Sequence, residues 1–113
     1  MAASGAAHNF FGIQVTLTAS TAQNLLKLLQ AIEPTVPPAV RELIIQADSS
    51  VAGALLLGDA GVSASRYGLA LTSTASTAPS QAWGTGGSEQ NVQLGAFYTF
   101  STAAMKVNVL GFC

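Results

Sequence analysis

The chain is 113 residues long, half of them apolar, and only 8% carry a formal charge, for a net charge of −1 at neutral pH. A typical soluble domain has about 25% charged residues; this exterior is too poor in ionic groups to hold copies apart, and four Lys and Arg residues are too few to neutralise a nucleic-acid backbone or to seek an anionic membrane. The longest apolar stretch, Val51 to Leu57, falls far short of the ~20 residues of a membrane-spanning helix.

This length suits one β domain spanning 1–113 with a core of its own. Residues 1–9 are rich in Ala, Ser and Gly, lack the basic and apolar regions of a secretory signal, and read as a flexible arm. Phe10 to Thr18 alternates Ile13, Val15 and Leu17 with Gln14, Thr16 and Thr18, the period of a half-buried strand. Ser20 and Gln23 then fit a capping box ahead of Leu25, Leu28, Leu29 and Ile32, which share one helical face. Pro34 ends that helix, since the residue before proline avoids the α region.

Val40 to Ala47 is expected to be a strand, followed by turn chemistry at Asp48. Ala54 to Leu57 is a short apolar strand, 58–61 a turn, and Arg66 to Thr72 another strand. Residues 73–90 are nearly all small or polar around a single tryptophan and read as one long loop. Val92 to Thr99 and Met105 to Phe112 close the pattern as strands. About six short strands with turns at roughly ten-residue spacing predict a mainly β, antiparallel sandwich or barrel with one short α-helix.

Catalytic chemistry finds little purchase. The one histidine, His8, and the one cysteine, Cys113, stand at opposite ends, which argues against a metal site or a nucleophile–base pair. A lone cysteine fits a cytosolic site of folding. Asp48 and Asp59 could act as a carboxylate pair, but their Ser and Gly neighbours favour turn capping. Gly84 to Gly87 lacks the Lys-Ser/Thr of a phosphate loop. No enzyme activity, cofactor or metal is expected.

Interface chemistry is easier to place. Trp83 either anchors in a neighbouring subunit or folds back over one end of the β structure, and both readings stay open. Phe97, Tyr98 and Phe100, in one strand, and Phe10 and Phe11, near the first, are expected to pack the core. Phe10 and Phe11 are nonetheless kept as contact candidates with Trp83, Arg41 and Arg66, because a salt bridge buried between subunits would make either arginine sensitive to mutation.

From Val40 onward the layout resembles small structural proteins of tailed-bacteriophage virions. The resemblance is carried by Val40-Arg41-Glu42-Leu43-Ile44-Ile45-Gln46-Ala47-Asp48, by Leu55-Leu56-Leu57-Gly58-Asp59-Ala60-Gly61-Val62-Ser63, by Arg66-Tyr67-Gly68-Leu69 and by Met105-Lys106-Val107-Asn108-Val109. The sequence departs from that layout in the 73–90 loop and in the leucine helix over 23–32. The resemblance implies a jelly-roll-like fold and a head decoration or cement protein on the capsid exterior. Its partners would be the major capsid protein and itself, as a dimer or trimer, with no nucleic acid and no membrane. A tail, baseplate or fibre-base adaptor remains an alternative, as does a small carbohydrate- or ligand-binding β module.

Overall fold

The computed structural model describes residues 10–48, 52–84, 89 and 91–113; the expected arm at 1–9, His8 included, lies outside them. The elements run β1 (Phe10–Leu17), β2 (Gln23–Asn24), α1 (Leu25–Ile32), β3 (Ala39–Val40), β4 (Glu42–Ala47), β5 (Gly53–Gly58), β6 (Leu69–Ser73), β7 (Ser80–Trp83), β8 (Val92–Gln93), a 3-10 turn (Leu94–Ala96), β9 (Tyr98–Ser101) and β10 (Met105–Phe112).

The antiparallel pairs nest: β1 with β10, β2 with β9, β3 with β8, β4 with β7 and β5 with β6. The chain is thus one long hairpin with its tip between β5 and β6. Two further pairings, β10 with β4 and β9 with β5, wrap it into sheets ordered β1-β10-β4-β7 and β2-β9-β5-β6. That winding is a jelly roll, so of the expected sandwich or barrel the sandwich is found.

The core follows from alternation. Odd-numbered residues of β1, β4 and β10 point inward: Val15, Leu17, Leu43, Ile45, Val107 and Val109 are all buried. Leu55, Leu57 and Leu71 meet them from the other sheet. Helix α1 contributes Leu25 and Leu29, both fully buried. At eight residues it is too short to persist alone and depends on that packing.

Several expectations are corrected. Gln23 lies in β2, where its side-chain oxygen accepts from the Thr18 amide at 2.9 Å. Ser20 adopts φ +56° and donates its amide to the Ser101 carbonyl. The helix cap is therefore Asn24, whose side-chain oxygen accepts from the Lys27 amide at 3.1 Å. Ile32 is 56% exposed, off the buried face. The Val40 strand breaks at Arg41 into β3 and β4, and the Arg66 strand starts only at Leu69, because Arg66 closes a turn with Ser63.

The expected strand over Val92 to Thr99 is interrupted by the 3-10 turn, and Phe97 caps that turn immediately before β9 begins. In β9 the inward positions belong to Thr99 and Ser101, both buried, while Tyr98 and Phe100 alternate outward and are half-buried. Phe97 does pack against the core; Phe10 does not, being 63% exposed. Within 73–90, β7 pairs with β4 in the register Leu43↔Trp83 to Gln46↔Ser80, so the segment is not one loop. Its small residues hid the strand; what forms it is the open edge of β4.

Candidate functional site

The structure gathers the expected contact residues into two groups. The first surrounds Trp83. Its indole packs edge-on against Phe97, ring centroids 5.0 Å apart and planes at 74°, and both rings rest on the core. Of the two open readings, this geometry gives Trp83 a place in the fold. The chain turns immediately after it at Gly84, where φ is +75° and a Cβ would collide with the Arg41 carbonyl oxygen, so only glycine fits. Between the β6 and β7 edges Trp83 helps line a cleft of ≈ 500 Å³ with Leu57, Leu69, Gln81 and Phe97.

Arg66 lies beside that cleft. Gly58 and Gly68 line both the cleft and a smaller hollow holding Asp59, Arg66 and Tyr67. Arg66 Nη2 donates to Asp59 Oδ2 at 2.7 Å, and Asp59 Oδ1 accepts from the Gly61 amide at 2.9 Å. Asp59 is therefore a turn-capping residue, as its neighbours in sequence predict. The Arg66 hydrogen bond, then the Gly61 amide, hold its carboxyl below the usual range. With the folded pKa depressed, any stabilisation is present above the unfolded value and is lost as pH falls through the folded one. Both side chains are more than 60% exposed, so solvent screens the pair and the Arg66 bridge is not a buried one. Val62, 4% exposed, lies over Gly58, and Tyr67 stands 51% exposed at the tip.

The second group surrounds the end of β10. Phe10 pairs with Phe112 across the strands, ring centroids 6.2 Å apart. The Phe11 ring sits directly over Gly111, where a Cβ would meet it. Arg41 donates its amide to the Phe112 carbonyl and Nε to the Cys113 carbonyl at 3.3 Å. Arg41 thus fastens the last strand to the backbone of the fold.

Sequence reasoning missed the outer faces of the sheets. Across β1-β10-β4-β7 the register sets four rows: Phe10, Phe112 and Glu42; Gly12, Leu110, Ile44 and Ala82; Gln14, Asn108, Gln46 and Ser80; Thr16, Lys106 and Asp48. The third row is a ladder of amides. Gln14 Nε2 donates to Asn108 Oδ1 at 2.9 Å, and Asn108 Nδ2 to Gln46 Oε1 at 3.0 Å. A shallow depression of ≈ 440 Å³ crosses the second and third rows. The opposite outer face presents Ala54, Ala70, Thr72, Tyr98 and Phe100 around Leu56, which is itself only 4% exposed, and carries no ionic side chain. The available signal was one amide set among apolar residues in each of β1, β4 and β10.

Among the described residues, no group of three or more His, Cys, Asp and Glu side chains could hold a metal ion, and no helix is long and apolar enough to cross a membrane. Comparison with protein-family models, curated proteins and solved structures finds no match.

Proposed function

We propose that this chain is a structural component of a tailed-bacteriophage particle: a head decoration or cement protein that binds the major capsid protein on the outside of the shell, associates with its own copies and braces the shell without catalysis. The observation that carries this reading is the pairing of a jelly-roll sandwich with one outer face free of ionic side chains and a second whose ionic groups, Glu42, Lys106 and Asp48, stand only in its marginal rows. Such faces gain from being covered by other protein, since apolar area removed from water contributes about 25 cal/mol per Å². Modest contacts repeated over a lattice then add through avidity.

The test is co-sedimentation of the purified protein with empty phage shells. The expected result is saturable binding at a fixed ratio to the major capsid protein, with shells that resist heat better when loaded. Protein left in the supernatant at every concentration overturns the reading. Saturation at six or twelve copies per particle would move the chain to the tail.

The Trp83 cleft favours a second reading, a small carbohydrate- or ligand-binding module, because a concave apolar site with an aromatic wall suits such a ligand. Saturable binding of a glycan by a monomer indifferent to capsids would establish it.

A further inference from the structure

The geometry points to the outer face of the β1-β10-β4-β7 sheet as a two-fold contact between copies of this chain, formed in solution whatever larger body the chain joins. Let a second copy face the first, related by a two-fold axis parallel to the strands and midway between β10 and β4. Rows then keep their level while strands exchange, so that β10 lies on the partner's β4. Leu110 meets the second copy's Ile44, with the small Gly12 and Ala82 at the flanks. Asn108 of the amide ladder meets Gln46, and Gln14 meets Ser80. At one margin Lys106 meets Asp48, and at the other Phe112 meets Glu42.

Every row thereby meets its own kind, and no like charges are opposed. An axis across the strands would instead lay the apolar row on the amide row and set Glu42 against Asp48, two negative charges. Stacked sheets rotate by about 30°. Lys106 stands three residues from the axis centre, about 10 Å, so this rotation shifts it by about 5 Å, within the reach of a lysine side chain. Four strands about 4.8 Å apart and four rows about 6.8 Å apart cover roughly 500 Å² per copy, so about 1,000 Å² in all. That is the lower limit of a specific interface, and the dimer is accordingly weak and concentration-dependent.

Sedimentation velocity over a concentration series tests this. The weight-average mass is expected to rise from 11.4 kDa at low micromolar concentration toward twice that value near millimolar. Ile44→Glu and Leu110→Glu should each weaken association at least tenfold at unchanged melting temperature. If either fails to fold, Lys106→Glu at an exposed position carries the same test. Lys106→Glu weakens the dimer, and adding Asp48→Lys restores it. A wild-type chain monomeric at millimolar concentration, or association that persists in all three glutamate variants, overturns the proposal.

Discussion

Ser101 is the one described side chain whose buried polar atom finds no hydrogen-bond partner. Its neighbours solve the same problem locally: Thr99 donates to the Gln23 carbonyl at 3.1 Å and Ser73 to the Gly53 carbonyl at 3.3 Å. A hydroxyl without such an acceptor costs stability, so Ser101→Ala is expected to leave stability unchanged or raise it by up to about 1 kcal/mol in urea melts. Trp83→Ala works in the other direction. Losing the edge-on contact with Phe97 and the cover over the core should cost about 2–3 kcal/mol, also read in urea. Capsid attachment per folded molecule is the separate measurement that reports any anchoring in a neighbour. The two residues differ in legibility. A lone tryptophan is visible in sequence, whereas the unpaired state of a serine depends on partners dozens of positions away.

Among the elements, β10 was legible to the residue, because Met105 to Phe112 alternates cleanly between a buried and an outer set. The first strand was equally plain. Helix α1 was found but its start was misplaced, since Ser20 and Gln23 imitate a cap while a tertiary bond to Ser101 claims the first and a local bond from Thr18 the second. Asn24 holds the real cap and also donates Nδ2 to the Gly95 carbonyl at 2.9 Å. Asn24→Ala should therefore cost about 1–2 kcal/mol in thermal or urea unfolding, with Asn24→Asp recovering the capping part. The short strands β2 and β7 were illegible, and β3 and β8 were visible only as the starts of longer expected strands, for a common reason. Each is defined by a neighbour distant in sequence, and two to four residues carry no periodicity. The candidate contact face was hidden likewise: its rows exist only once the register is set.

For the molecule as a whole, the scarcity of charge makes a prediction about salt. Attachment governed by apolar and amide contacts should change by no more than about threefold between 50 mM and 500 mM salt, whereas attachment governed by ion pairs would weaken much further. Co-sedimentation with shells at the two ionic strengths decides between them. The scarcity of charge is read directly from composition, and turn spacing foretold a mainly β sandwich or barrel. The jelly-roll-like winding was expected from the resemblance alone, since the nesting of the pairs is a property of long-range partners.

That nesting fixes when the molecule can fold. The tip between β5 and β6 leaves the ribosome midway, and each later strand must travel back to an earlier one, until β10 enters between β1 and β4. β10 is an interior strand of its sheet, flanked by strands made before it. Until residues 105–112 have left the exit tunnel, both β1 and β4 expose edges bare of their β10 partner, and a chain cut before Met105 is left with two adhesive flanks.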